Sequence, residues 1–505
     1  MHERTDTTHW WTDLLDTTRN ELRHLRVAVY GGGGAPYHHA ALAALWGAPP
    51  RALSGADIRD GALADVDVIV FPGGGARAMA GMLDPLGTAG AAAVRTWVAE
   101  GGMYVGSCAG SFLPAMVGDA YWRAHPEARE LTMLCARLSN GSDSEWEGLT
   151  SPGVGVLDME VTERNHWLVD GLPPRFRLVH YNGPMFLPVE PDGDDPLLGD
   201  ARGVARFVAR TDRFTPSETF MDASVDPTGG VFDSGVDAGA STAVTAPYGE
   251  GQVVLFGSHP EFGFDAIQLG WGEGVRLFAN ALRHQAARRS SDARRAPGSP
   301  AQGDGAVGRQ ALSALPARFE RLAERFGELD RHADAPWLRP GCVSAFQGLA
   351  PAAVWRMALA DAASANLATA SYLRHLAETV DADGVAAATR WLDHPAPEGQ
   401  DYGFMGLRQL ADTIDAAIDT GVAAIDAGPG CLEHPYAGLD SHPYQLIASS
   451  YLSAAGLSAC AALSATVAGA HAGVLDKVPV GPTNASIALA PTPSAATRPA
   501  QEVTR

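Results

Sequence analysis

Residues 101–115 read GGMYVGSCAGSFLPA. Met103, Tyr104 and Val105 have the composition of a buried strand, Gly106-Ser107-Cys108-Ala109-Gly110 is a Gly-x-Cys-x-Gly turn, and a helix-compatible stretch follows. A strand entering such a turn and leaving as a helix is a nucleophile elbow, here with cysteine as the nucleophile. The glycines are needed because a Cβ two positions to either side of the nucleophile would collide with the strand or the helix. The turn also sets Cys108 at a helix N-terminus, where the helix dipole favours a thiolate. The plainer alternative is a buried cysteine beside a Gly-rich strand end, since free cysteine is usually core. The complete strand–turn–helix context favours the elbow.

A cysteine nucleophile needs a base, and the base needs a group to orient it. Ser258-His259-Pro260-Glu261 follows the strand-like run QVVLFG at 252–257, putting an imidazole and a carboxylate two residues apart at a strand end. In an open parallel sheet the strand C-termini gather along one edge, so His259 can meet Cys108 despite roughly 150 intervening residues. The run VDVIVF at 66–71 leads into Pro72-Gly73-Gly74-Gly75. Consecutive glycines at a strand end let backbone N–H groups approach a ligand, and with the Ala109 N–H they would form an oxyanion hole. A tight βα turn is the bland alternative. Gly31 to Gly34, after the strand-like RVAVY at 26–30, lack GxGxxG spacing and read as a turn lining the cleft.

The rest of the composition narrows the function. Of 505 residues, 58 are acidic and 37 basic, a formal charge of -21. Such a chain repels phosphate backbones, which argues against nucleic acid or an anionic membrane as partner. Lys477 is the single lysine, which excludes a Schiff-base lysine or a P-loop anywhere before it. The five cysteines (Cys108, Cys135, Cys342, Cys431, Cys460) are odd in number, widely spaced and contain no CxxC pair, so neither a disulfide framework nor a zinc ribbon is indicated. The spacing of Cys431, His434 and His442 matches no strong metal pattern, and no metal or cofactor is expected. Without an apolar signal-type core near its start, the chain is expected to be cytoplasmic.

Five zones follow. Residues 1–24 hold a short amphipathic helix carrying Trp11, Leu14, Leu15, Leu22 and Leu25 on one face. Residues 25–285 alternate short apolar runs with Gly-rich turns and helical spacing (Ala91, Val94, Trp97, Val98), the rhythm of an α/β domain with a parallel sheet. Residues 286–311, with five arginines and almost no large apolar side chain, read as a disordered linker. Residues 312–476 read as a separate all-α bundle. Phe319, Leu322, Phe326 and Leu329 form one stripe, and Leu407, Leu410, Ile414, Ile418, Val422 and Ile425 another. Residues 477–505 are Pro/Thr/Ala-rich and read as a disordered tail. Between Asp440 and Asp476 no charged residue occurs, but Ser, Ala and Gly dilute the segment below the apolarity of a membrane span. The acidic run Asp192, Asp194, Asp195 and Asp200 and the stretch 222–242 read as surface insertions.

The three motifs in order, FPGGG, GSCAG and HPE, resemble the class I glutamine amidotransferase-like superfamily. The nearer resemblance is to the amino-terminal domain of eukaryotic-type biotin–protein ligases. It rests on a Gly-rich turn after the first strand, the VFPGG turn, the GGxxxGxCAG elbow, the segment Tyr181-Asn182-Gly183-Pro184-Met185-Phe186, and the closing run from Gly249 to Phe262. It covers about residues 25–285. The resemblance implies a flavodoxin-like α/β/α sandwich with Cys108 as nucleophile, His259 as base and Glu261 as its partner. It implies oxyanion donors at Gly74 and Ala109, the glycine's register open by one, and a substrate cleft at Gly73, Gly75, Asn182 and Gly183. No biotin-ligase core follows, because 312–476 lack its Gly-Arg-Gly loop and active-core lysine. Two expectations result. The first is a hydrolase or amidotransferase-like enzyme cleaving a C–N amide bond in a small molecule or peptide through a Cys108 thioester. The second is a non-enzymatic sensor or scaffold whose helical domain binds a protein partner.

Overall fold

The structure, a computed structural model, describes residues 22, 25–31, 51–73, 78–115, 125–138, 154–181, 183–190, 195–215, 230–261, 274–290, 310, 312–329, scattered helical positions between 359 and 378, and 407–427. Eleven strands among them form one mixed sheet. In chain order these are β1 (Val27–Tyr30), β2 (Arg51–Leu53), β3 (Val68–Phe71), β4 (Met103–Ser107), β5 (Ala136–Leu138), β6 (Val154–Val161), β7 (Arg175–Tyr181), β8 (Phe186–Pro188), β9 (Arg202–Thr215), β10 (Ser241–Tyr248) and β11 (Gly251–Phe256). The helices are α1 (Gly55–Arg59), α2 (Ala78–Ala99), α3 (Ala109–Phe112), α4 (Pro126–Leu131), α5 (Gly230–Asp237), α6 (Val275–Ser290), α7 (Pro316–Glu328) and α8 (Leu407–Ala427).

The path across the sheet is β2-β1-β3-β4-β11-β10-β9-β6-β7, with β8 and β5 attached beside β10. Its first five strands are parallel, in the 2-1-3-4-5 order of a flavodoxin-like sheet. Successive side chains on these strands go to opposite faces. Val27, Val29, Val68, Val70, Met103 and Val105 enter one core with Leu277, Phe278 and Leu282 of α6. Ala28, Tyr30, Ile69, Phe71 and Tyr104 enter the other with Met82, Leu83, Val94 and Val98 of α2. Burial on both faces explains why these strands read as unbroken apolar runs. On the second face Tyr30, Phe71 and Tyr104 stack with centroids 4.5 and 4.7 Å apart. α2 breaks at Gly87 (φ 63°, ψ 173°), just after Pro85. The Arg59 guanidinium donates to the freed Pro85 and Leu86 carbonyls at 2.6 and 3.0 Å.

The remaining strands depart from the expected parallel sheet. β10, β9, β6 and β7 run antiparallel to their neighbours and widen the sheet beyond the doubly wound half. The stretch 222–242 is not simply an inserted loop: residues 230–237 are α5, whose Phe232 is fully buried, and β10 starts at Ser241. Nor is the whole acidic run a surface insertion. Asp195 pairs with Arg95 at 2.5 Å and accepts from the Tyr248 hydroxyl at 3.0 Å, while Asp192 and Asp194 lie outside the described residues. α6 continues to Ser290, so the first residues of the expected linker are helical. Arg288 and Arg289 there donate to the Glu250 and Gly101 carbonyls, which a solvated linker would leave to water.

The described residues of 312–329 and 407–427 are helical, and α7 packs on α8. Phe319, Leu322, Phe326, Ile414 and Ile418 are buried. Arg318 pairs with Asp412, and Arg325 pairs with both Asp415 and Asp419. Of the residues named for the amino-terminal helix, Leu22 is helical and buried, Leu25 is buried but lies past the helix, and Trp11, Leu14 and Leu15 lie outside the described residues. The tail, the segment from Asp440 to Asp476, and Cys342, Cys431, Cys460, His434 and His442 lie outside the described residues. No helix among those described is long and apolar enough to cross a membrane.

Candidate active site

β4 delivers Cys108 at the C-terminal edge of the parallel strands. Its backbone has φ 48° and ψ −117°, and Cys108 is the only non-glycine with positive φ among the described residues. A side chain held there costs on the order of 1–3 kcal/mol, so the surroundings must over-determine the turn. They do. The Cys108 N–H donates to Phe256 O at 2.9 Å, the Gly110 N–H to Pro72 O at 3.0 Å and the Ser111 N–H to Cys108 O at 3.0 Å. The buried Tyr104 hydroxyl donates to Gly110 O at 2.6 Å. The flanking glycines are sterically required. A Cβ on Gly106 would lie 2.5 Å from Gly110 O, and one on Gly110 would lie 2.2 Å from Phe71 O. The helix that follows, α3, is a single turn.

β11 lies parallel to β4 in register, pairing Phe256 with Ser107, and carries the chain to Ser258 and His259. The His259 N–H donates to Val179 O at 2.8 Å, clamping this loop to β7. His259 Nδ1 lies 2.5 Å from Glu261 Oε1, and both side chains are buried. Burial alone would lower the His259 pKa. The Glu261 carboxylate and then Cys108 outweigh it and hold the ring above the ordinary imidazole value. With Nδ1 taken by Glu261, Nε2 is the ring nitrogen left to serve the sulfur. Gly73 closes the arrangement: a Cβ there would sit 3.1 Å from His259 Cε1 and 3.6 Å from Cys108 Cβ. Cys108, His259, Glu261 and Gly73 are therefore gathered at one point.

Ala109, next to Cys108, is buried, and its N–H takes no part in the elbow bonds just described. Gly183 also borders the site; a Cβ on it would lie 2.0 Å from Gly257 O and 3.5 Å from Cys108 Cα. Gly74, Gly75 and Asn182 lie outside the described residues, as do Gly32, Gly33 and Gly34.

Four further polar residues support the site and were not singled out from the sequence. The Ser107 hydroxyl lies 3.1 Å from Ser258 O and 3.3 Å from Glu261 Oε2, so it can hold the carboxylate oxygen that His259 leaves. His180 Nδ1 is 3.1 Å from Ser258 Oγ, which is 2.9 Å from Thr242 Oγ1. Burial, reinforced by the neighbouring His259, pushes the His180 pKa down to about 3 and keeps that ring neutral. The available signal was polarity in the wrong place: a serine ending the buried β4 and a histidine in the apolar run Leu178-Val179-His180. Among the described residues no group of three or more His, Cys, Asp or Glu side chains is gathered for a metal ion.

No family profile matches the chain, and no curated protein does. Among solved structures it is similar to PurLQS from Thermotoga maritima, at 16% identity over 52% of this chain and 98% of that one, with a TM-score of 0.30. A cytoplasmic protein from Salmonella typhimurium, STM3548, gives 15%, 52%, 98% and 0.29. A putative ThuA-like protein from Bacteroides uniformis gives 12%, 52%, 89% and 0.28. At these values the likeness carries no argument about function, which is left to the geometry of the site.

Proposed function

We propose that the chain is a cysteine-dependent enzyme that cleaves a C–N amide bond of a small molecule or peptide. The observation that carries this reading is the strained elbow at Cys108 facing a His259 that is itself paired to a buried Glu261. A structural cysteine needs neither the positive φ nor the oriented imidazole. The Cys108 sulfur, its proton passed to His259 Nε2, attacks the amide carbonyl and forms a C–S bond. The oxyanion is met by the Ala109 N–H and by the Gly-rich turn after β3. Collapse breaks the C–N bond as His259 returns its proton to the leaving amine, giving a thioester. Water, deprotonated by His259, then releases the acid and regenerates the thiol. Glu261 keeps Nδ1 protonated and stabilises the imidazolium throughout. In motif order the site resembles the amidotransferase-like superfamily and, within it, the amino-terminal domain of biotin–protein ligases. Transfer of ammonia would require an acceptor outside this chain.

The test is alkylation followed by trapping. Iodoacetamide should modify Cys108 faster than the other four cysteines, and an amide substrate panel should leave a mass-detectable acyl group on Cys108. Uniform labelling of all five, or hydrolysis unchanged in Cys108→Ala, sinks the reading. Loss of a partner's binding on deleting 312–476, with Cys108→Ala silent, would favour the scaffold alternative instead.

A further inference from the structure

A cavity of about 1180 Å³ is lined by residues other than Cys108, His259 and Glu261. It is lined by the turn 164–170, the β10–β11 hairpin at Thr245, Pro247 and Gln252, and α6 at Asn280, Arg283 and His284. Of its lining residues, Gln252 lies four positions before Phe256 on β11, about 13 Å along the strand.

The walls are built. The Trp167 and His284 rings stack at 3.9 Å and 9°. The buried Asn280 amide donates to both Leu168 O and Asp170 O at 2.9 Å, pinning the turn to α6. His166 accepts from the Leu168 N–H through Nδ1 and has Nε2 3.3 Å from Thr245 Oγ1, which fixes its neutral tautomer. Burial, then Arg288 and His166, lowers the His284 pKa to about 4, so neither imidazole carries charge near neutrality.

Charge therefore comes from three guanidinium groups, Arg164, Arg202 and Arg283, against two carboxylates, Asp170 and Asp200. In a chain of net charge -21 a cavity with a positive excess is not what composition alone produces. The Arg164 and Arg202 guanidinium groups form no hydrogen bond and no ion pair within 4 Å among the described residues, Arg164 feeling the Glu160 carboxylate only at longer range. Guanidinium groups whose N–H donors are not already bonded match a phosphate oxygen fork. The volume is far larger than one phosphate fills. The two carboxylates disfavour a ligand that is anionic throughout, and with Asn165 and Gln252 they can bond hydroxyl groups. From these features we infer that the cavity binds a phosphorylated sugar, the arginines holding the phosphate and the Asp170/Asp200 rim holding the hydroxyls.

Calorimetry on the full chain tests this with ribose 5-phosphate, ribose, inorganic phosphate and citrate. Ribose 5-phosphate should bind, with ribose at least about tenfold weaker, and inorganic phosphate weaker than the ester. The double variant Arg164→Gln/Arg202→Gln should lose at least about tenfold in affinity for ribose 5-phosphate, while iodoacetamide still modifies Cys108 at the parent rate. Cys108→Ala should bind the ester as the parent does, which separates this site from the catalytic reading. Absence of binding, equal binding of ribose, equal binding of citrate, or an undiminished double variant overturns the inference.

Discussion

Glu261 has no exposed surface and divides its oxygens between His259 and the Ser107 hydroxyl. Replacing it by Gln removes the charge that holds the His259 pKa up, so burial should then dominate and lower it. We expect Glu261→Gln to slow Cys108 acylation by about 10²–10⁴-fold, measured by single-turnover mass spectrometry. Parent-like rates would remove Glu261 from the mechanism. His180 yields a stability prediction with a definite sign. Its unfolded imidazole takes a proton near pH 6.5, whereas the folded ring refuses it until about pH 3. The unfolded state thus binds more protons in that window, and stability falls as the pH drops through it. His166 and His284 act in the same direction. Urea titrations should show that His180→Asn reduces the slope by about 1.4 kcal/mol per pH unit between pH 6 and 4. His259 has the opposite sign: its raised pKa contributes fully below pH 6.5 and the contribution fades as pH rises through the folded value. Cys108, His259 and Glu261 were legible because each sits in a local pattern of turn residues. Ser107 and His180 were not, because their partners are 154 and 78 residues away and only the fold brings them near.

At the scale of elements, the elbow is a junction of four segments rather than a property of its own five residues. Gly110 approaches β3, and Tyr104 on β4 ties down the Gly110 carbonyl. A methyl group at Gly110 meets the Phe71 and Pro72 carbonyls, which cannot rotate away as a side chain can. Gly110→Ala should cost about 1–3 kcal/mol in denaturant titration and abolish selective Cys108 alkylation. Unchanged stability together with unchanged labelling would show that the turn has more room than its contacts imply. Tyr104→Phe keeps the ring stack and deletes one buried hydrogen bond, so a milder loss of about 1 kcal/mol is expected. The parallel strands were readable as apolar runs. The alternation Arg175-Phe176-Arg177-Leu178 in β7 is also a strand signal, but its pairing with β6 depends on a register that period-2 spacing does not specify.

For the whole molecule, the two cores flanking the sheet draw their residues from Leu22 to Leu282, while α7 and α8 bury Phe319, Leu322, Phe326, Ile414 and Ile418. Phe319→Ala should destabilise the helical pair by about 3–5 kcal/mol, seen by hydrogen exchange in 316–328 and 407–427, and leave the Cys108 alkylation rate unchanged. A parallel loss at Cys108 would show that the helical pair and the sheet are coupled. The amino-acid sequence by itself determined the parallel strands, the elbow, the candidate nucleophile, base and carboxylate, and the amphipathic stripes of α7 and α8. Each of these is set by side-chain periodicity or by glycine's freedom over a few residues. Tertiary structure alone decided the antiparallel half of the sheet, the role of α5, the Ser107 and His180 support, the Arg95–Asp195 pair and the cavity beside α6. These depend on contacts between distant residues, whose geometry is settled by which strand lies beside which and in what register.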